Sequence, residues 1–325
     1  NTLTVKDSWI VLFEDNSGQR GYGECAPIWG LSPESQVDLE AKMLELSSSN
    51  DYEKVDISRF PTLNFGLETA KADLTADNHI LYDSPFSRGK KGIPINGLVW
   101  MGDLAYMKKQ IAEKLDAGFT SLKLKVGSQE IDDELAILEA IRKEFNPATL
   151  EIRLDANGAF EFEDVPKILR QFSEHKIHSI EQPIEAGNWD QMAQLCANPI
   201  IPIALDEELI RITTSRRRRA LLDVIKPQYI ILKPSLLGGL RTCDEWVKQA
   251  EYKGIGWWVT SMLESNIGLS AIAQWVSTKN TSMKQGLGTG MLYSNNVDSP
   301  LVIKGEELWM SKKSWQIESA LKKLK

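Results

Sequence analysis

From Ile93 onward the chain alternates short apolar runs with longer amphipathic stretches, and this rhythm organises the rest. Runs rich in Ile, Leu and Val fall at 93–99, 121–126, 150–154, 178–181, 201–205, 229–233 and 256–260. Between them, apolar residues recur at helical spacing over 103–117, 131–145, 165–173, 189–196, the stretch around Arg216–Arg219, 240–252 and 267–276. The short runs read as buried strands and the longer stretches as covering helices. Gln285-Gly-Leu-Gly288 reads as a short eighth strand. Seven or eight strand–helix units over roughly 200 residues predict an α/β fold closed into a (β/α)₈-type TIM barrel rather than an open doubly wound sheet. An open sheet would want a glycine-rich dinucleotide loop after its first strand, and Asn96-Gly-Leu-Val-Trp-Met-Gly102 is not one. Gly286, Gly288 and Gly290 form a short run that suits a plain turn.

Before Ile93 the pattern is different. Residues 8–14 and 21–25 read as strands joined by the turn Asp15-Asn-Ser-Gly18, which predicts a hairpin. A helix is expected from Ser32, with Pro33 in its first turn, to about Leu46. A second is expected from Thr62 to about Ala76, with Leu63, Leu67, Ala70 and Leu74 on one stripe. This is a compact α+β region. The tail from about Tyr293 lies beyond the barrel and is expected to return to the N-terminal region.

The candidate chemistry begins on the second barrel strand. Side chains alternate across a strand, so Ser121-Leu-Lys-Leu-Lys-Val-Gly127 puts Lys123 and Lys125 on one face and Leu122, Leu124 and Val126 on the other. Two buried ammonium groups are costly unless something uses them. An edge strand with two solvated lysines explains these seven residues equally well. The later strand ends shift the balance. Lys125, Asp155, Glu181, Asp206 and Lys233 follow one another at steps of 30, 26, 25 and 27 residues, close to one strand–helix unit each. In such a barrel the active site lies at the C-terminal strand ends, so this spacing sets all five side chains round one ring.

Three facing carboxylates repel, so a cation is expected among Asp155, Glu181 and Asp206. Hard oxygen ligands without His or Cys favour Mg²⁺, with Mn²⁺ as a substitute. A nearby dication, a second lysine and burial all disfavour an ammonium and would lower a lysine pKa toward general-base range. The implied chemistry is removal of a proton beside a carboxylate of a small molecule, then elimination, racemisation or cycloisomerisation. Glu207, next to Asp206, reads as a partner behind the ligands rather than a fourth ligand, and Glu264 as either a support for Lys233 or a helix cap.

Composition narrows the field further. Of 325 residues, 42% are hydrophobic and 26% charged, ordinary for a globular protein, and the net charge of −7 argues against a general affinity for nucleic acid or anionic membrane. The run Arg216–Arg219 reads as a solvated helix face. No apolar run approaches the ~18 residues of a membrane span. Cys25, Cys196 and Cys243 are scattered and odd in number, which predicts free thiols in a reducing cytoplasm. None of His79, His175 and His178 lies in a strong apolar strand context, which argues against a His-based metal site or triad. Trp257 and Trp258 read as core; Trp29 is a candidate to reach the pocket. The sequence starts without methionine and enters a strand almost at once, as a trimmed start would, so a targeting segment is left open.

The Lys-x-Lys strand, Asp155-Ala-Asn-Gly, Glu181-Gln-Pro, Leu205-Asp-Glu-Glu and Lys233 together resemble the enolase superfamily, over essentially the whole chain. They match its muconate-lactonizing subgroup. Gly21-Tyr-Gly-Glu-Cys-Ala-Pro, Thr260-Ser-Met-Leu-Glu-Ser-Asn-Ile-Gly268 and Gly286-Leu-Gly-Thr-Gly-Met-Leu resemble the o-succinylbenzoate synthases of menaquinone biosynthesis. The resemblance implies a (β/α)₇β barrel, residues 93–292, under an α+β capping domain of residues 1–92 joined by the tail 293–325. It implies Mg²⁺ on Asp155, Glu181 and Asp206, a pairing of lysine base and Mg²⁺ that is general to this superfamily. Lys125 would take the ring proton α to the carboxylate and return it to the departing hydroxyl. Lys233 would stabilise the planar enediolate by a cation–π contact, and Lys123 would neutralise the substrate carboxylate and help depress Lys125. Asn157, Ser261 and Gly288 map onto pocket positions. Dipeptide epimerases of this frame carry an Asp-x-Asp at the end of strand eight, and Gly286-Leu-Gly-Thr-Gly has none. N-acylamino acid racemisation stays open as an alternative, as does a homo-oligomer. The family's pocket-covering loop would lie partly before Asn1. A barrel that only binds would be favoured by a lost ligand or lysine, and none is lost.

Overall fold

A computed structural model describes residues 5–100 and 102–322. The N-terminal hairpin forms as expected from β1 (Trp9–Glu14) and β2 (Arg20–Cys25), antiparallel with Trp9 opposite Cys25. Asp15 closes its turn by accepting from the Ser17 and Gln19 N–H groups at 2.8 and 3.0 Å. Helix α1 (Gln36–Ser48) starts four residues later than expected. Ser35 caps it by accepting the Asp38 N–H at 3.2 Å, while the Ser32 hydroxyl accepts the Ile28 N–H in the preceding loop.

Helix α2 (Pro61–Leu74) packs against β2 at backbone contact distance. A Cβ on Gly23 would lie 1.9 Å from the Gly66 carbonyl oxygen, and one on Gly21 would lie 2.2 Å from the Leu74 nitrogen. Alternate glycines therefore let a strand lie flush on a helix. Gly23→Ala is expected to destabilise the protein by about 3 kcal/mol or more, because backbone rather than a movable side chain must give way. Urea unfolding would measure it; a loss under about 1 kcal/mol would mean the hairpin backs away freely.

The alternating region follows. Its elements are β3 (Ile93–Pro94), β4 (Gly97–Val99), α3 (Leu104–Asp116), β5 (Ser121–Lys125), α4 (Ile131–Glu144), β6 (Glu151–Asp155), α5 (Val165–Ser173) and β7 (Ser179–Glu181). Then come α6 (Trp189–Ala197), β8 (Ile203–Leu205), α7 (Ser215–Ile225), β9 (Tyr229–Leu232), α8 (Pro234–Leu237), α9 (Leu240–Tyr252), β10 (Gly256–Val259) and α10 (Asn266–Val276). Strands β4 to β10 form one parallel sheet in chain order. The expected eighth strand is reduced to two bridging residues, Gln285 beside Ile95 and Gly286 beside Thr260. The Gln285 N–H donates to Pro94 O at 2.9 Å and the Gly286 N–H to Val259 O at 2.7 Å. These bonds close the sheet into a (β/α)₇β barrel.

One predicted strand divides in two. Ile93–Pro94 turns away from the barrel to pair with β12 (Glu307–Met310), which also pairs antiparallel with β11 (Leu301–Lys304). Helix α11 (Ile317–Leu321) then brings Ile317 against Tyr22 and Ile267, and the Arg20 guanidinium meets Glu318 at 3.0 Å. Residues 1–4, Met101 and 323–325, which the expected segments include, lie outside the described residues.

The core lies between sheet and helices. Leu122, Leu124, Ile152, Leu154, Ile180, Ile203, Leu205, Ile230 and Leu232 are all buried, each contributing about 1.5–3 kcal/mol by leaving water. The arginine run departs from its expectation at one position. Arg218 is buried over the Trp246 ring, donates to Ile212 O and Thr213 O, and pairs with Glu245, while its three neighbours are exposed. The three cysteines are free and buried. No helix among the described residues is long and apolar enough to cross a membrane.

Candidate active site

Strand β5 lies inside the sheet between β4 and β6, which removes the edge-strand reading of the two lysines. Leu122 and Leu124 join the hydrophobic core on one face; Lys123 and Lys125 share the other. Parallel register then aligns Lys125 with Asp155 and Asp155 with Glu181. One row of the sheet thus carries a cation and two carboxylates side by side.

The side chains interlock. Lys123 Nζ stands 2.5 Å from Glu181 Oε2 and 2.8 Å from Asp155 Oδ2. Lys125 Nζ stands 2.6 Å from Asp155 Oδ2 and also donates to Asn157 Oδ1. Lys233, just past β9, pairs with Asp206, just past β8. Asp155, Glu181 and Asp206 are at most 2% exposed. With Lys123 and Lys233 seated among them, no three acidic, His or Cys side chains among the described residues converge tightly enough to hold a metal ion.

The donor set nevertheless suits a hard dication. All three candidates are oxygen donors on adjacent strands, and Glu181 Oε1 is buried with no hydrogen-bond partner. Burial, then the Asp155 carboxylate beside it, push Glu181 up to about 8, a sign of excess negative charge. Burial and Glu207 likewise raise Asp206. Burial also acts to raise Asp155, but Lys123 and Lys125 outweigh it and hold it below the usual carboxylate range.

The lowering of lysine pKa is expected beside a dication; the carboxylates by themselves act in the opposite direction on two of the lysines. Burial pulls Lys123 down, yet Asp155 and Glu181 outweigh it and hold it above an ordinary lysine. Burial pulls Lys233 down as well, and Asp206, Glu207 and Glu181 reverse it.

The supporting residues sort as follows. Asn157, in a left-handed conformation at φ +45°, presents its carbonyl to Lys125 and donates from Nδ2 to Glu207 Oε1 at 2.9 Å. Glu207 therefore stands behind Asn157, which itself meets Lys125. Ser261 pairs with Thr289, and Gly288 has ordinary φ, with Ile95 and Ile303 at van der Waals distance from where a Cβ would sit. Glu264 bonds the start of a helix rather than Lys233: it accepts from the hydroxyl of Ser235, in the first turn of α8, and from the Met262 N–H at 2.8 Å. Trp29 turns to the N-terminal segment, where its indole donates to Asp7 at 3.3 Å.

Two residues escaped the sequence reading. Gln182, fully buried at φ +40°, accepts the N–H groups of Asp206 and Glu208 at 3.2 Å and so fixes the end of β8. Arg153 lies two residues before Asp155 on the same face, bonded to Glu151 at 2.7 Å and Lys284 O at 2.9 Å, with Trp258 4.4 Å beneath it. The alternation in Glu151-Ile-Arg-Leu-Asp155 carried that signal, parallel to Lys123-Leu-Lys125.

Known proteins align with both halves of the chain. Residues 106–313 match the family described as enolase C-terminal domain-like, and residues 1–74 match the MenC N-terminal domain. An o-succinylbenzoate synthase of Desulfotalea psychrophila is 46% identical over 95% of this chain and 93% of its own length. An N-succinyl-L-Arg/Lys racemase of Bacillus cereus is 26% identical over 81% of this chain and 74% of its own. The crystal structure of MenC from Desulfotalea psychrophila superposes with a TM-score of 0.83 at 42% identity, covering 94% of this chain and 95% of that one. Muconate lactonizing enzyme superposes equally well, at 0.83, with 19% identity and coverage of 98% and 94%, a likeness of fold. The chain belongs to the enolase superfamily and, within it, to the family of the o-succinylbenzoate synthases.

Proposed function

We propose that this chain is an o-succinylbenzoate synthase, a hydro-lyase that dehydrates 2-succinyl-6-hydroxy-2,4-cyclohexadiene-1-carboxylate to 2-succinylbenzoate. The observation that carries the reading is a buried row of carboxylates flanked by Lys125 and Lys233, in a chain 46% identical to a synthase over nearly its whole length. Residues 93–292 are taken as the catalytic barrel, with 1–92 and 293–325 as its cap, acting on a small carboxylate in the cytoplasm.

Lys125 Nζ, in its amine form, takes the ring proton beside the substrate carboxylate. The C–H electron pair is first held on the substrate carboxylate as a planar enediolate, then returns to complete the aromatic ring as the neighbouring C–O bond breaks. The same Nζ returns its proton to the departing hydroxyl, which leaves as water. Asn157, anchored by Glu207, holds Nζ in place through its carbonyl. Lys233 keeps its charge and faces the planar intermediate from the other side. Asp155, Glu181 and Asp206 would hold Mg²⁺, or Mn²⁺ in its place, which stabilises negative charge on the substrate carboxylate. Ser261 and Gly288 are assigned to the wall of the substrate pocket.

The test is turnover of the cyclohexadiene with added Mg²⁺, followed by absorbance of the aromatic product. Turnover is expected, and EDTA is expected to abolish it. A folded, Mg²⁺-loaded protein that leaves the substrate unchanged would overturn the assignment. Racemisation of N-succinyl amino acids, read by α-deuterium exchange, would then be the next activity to measure.

A further inference from the structure

One buried polar cluster takes no part in this chemistry, and it ties the N-terminal hairpin to the end of β10. Glu24, on β2, is fully buried, and each of its oxygens accepts two hydrogen bonds. Oε1 accepts the Ser8 hydroxyl at 2.9 Å and the Ser265 N–H at 2.8 Å. Oε2 accepts the Ser265 hydroxyl at 2.6 Å and the Gly268 N–H at 3.0 Å. Ser265 is the cap of α10, so this carboxylate sits at the helix N-terminus, where negative charge is favoured. A Cβ on residue 268 would meet Glu24 Oε2 at 3.0 Å, and glycine there leaves the approach open.

A second carboxylate continues the cluster. Glu264 is fully buried and holds the Met262 N–H and the hydroxyl of Ser235, two residues past Lys233. Lys6 donates to Ala26 O at 3.0 Å, and burial lowers its pKa against the opposing charges of Glu264 and Glu24. Between these anchors the loop 260–265 has little freedom. Ser261 pairs with Thr289, the Leu263 carbonyl accepts the Tyr293 hydroxyl, and Leu263 itself is held at φ +58°, which costs about 1 kcal/mol or more in an L-residue.

We infer that Glu24 is a positioning residue for substrate binding: the hairpin, through Glu24, sets the shape of the loop that carries Ser261. This inference rests on the reading that Ser261 walls the pocket. Glu24→Gln keeps the volume but replaces one acceptor by an amide, leaving buried donors without a partner. KM for the cyclohexadiene is expected to rise about tenfold or more with kcat within about threefold, the signature of lost binding rather than lost chemistry. Hydrogen exchange over 260–268 is expected to quicken by about tenfold or more. Gln19→Ala removes the same hairpin's bond to Leu74 O at 2.6 Å, away from the loop, and is expected to leave both readouts unchanged. Equal effects from the two variants, or normal exchange and KM in folded Glu24→Gln, would overturn the inference. Should Glu24→Gln not fold, Ser265→Ala removes one of the four bonds and is read in the same way. A wild type that ignores the cyclohexadiene overturns the assigned function, and loop exchange alone then decides the role of Glu24.

Discussion

Lys125→Ala is expected to lose turnover by about 10⁴-fold or more. General acid–base catalysis by one placed side chain is worth about 10²–10⁴-fold per proton transfer, and this amine serves two transfers in succession. The loss should fall on kcat with little change in product affinity, because the ammonium's partners are Asp155 and Asn157. Exchange of the substrate's ring proton with deuterated solvent should stop in the same variant. Lys233→Ala supplies the contrast: it should also lose turnover, yet Lys125 would still reach the proton and slow exchange would persist. Retained turnover in folded Lys125→Ala would remove that residue from the mechanism.

The second large effect is expected from Glu181→Gln. Glu181 lies among Asp155 and Asp206, fully buried, with one oxygen lacking any partner. Neutralising it should cost the metal site a charge and a ligand, with Mg²⁺ affinity falling by about 100-fold or more. In the wild type, Mg²⁺ at ~100 times its Kd should stabilise the fold by about 2.7 kcal/mol, raising the melting temperature. That rise should vanish in Glu181→Gln. Because Glu181→Gln also gives up the charge paired with Lys123 at 2.5 Å, each protein is compared with itself, with and without Mg²⁺. A melting curve of Glu181→Gln that still climbs with Mg²⁺ would contradict the ligand assignment without any recourse to activity.

Much of the site was legible because barrel strands place functional groups at their ends. Spacing alone grouped Lys125, Asp155, Glu181, Asp206 and Lys233, and the register then aligned the first three. What spacing could not convey was pairing. Whether Lys123 faces substrate or Glu181 depends on side-chain reach across strands, and Glu264's choice of Ser235 over Lys233 depends on how two loops fold against each other. The eighth strand was visible as Gln285-Gly-Leu-Gly288, but its contraction to two residues reflects tertiary bonds to Pro94 and Val259 that no local pattern encodes. Pro33 misplaced the start of α1 because a proline marks a first turn only when the residue before it caps. Arg218 broke its run for a similar reason: helix periodicity gave its position, but only packing supplied Trp246 and Glu245.

The barrel's closure also bears on how the chain reaches its native state. Ile95 and Gln285 meet across 190 residues, so sealing the sheet costs about 4–5 kcal/mol in loop entropy against a two-residue seam. Contacts this remote slow folding, whereas each strand–helix unit can form from its neighbours. Until residues 285 and 286 are in place, β4 and β10 are open edges able to pair with another chain. The last short segment of the barrel therefore acts as the guard against misassembly during synthesis, a duty separate from anything it does in the pocket.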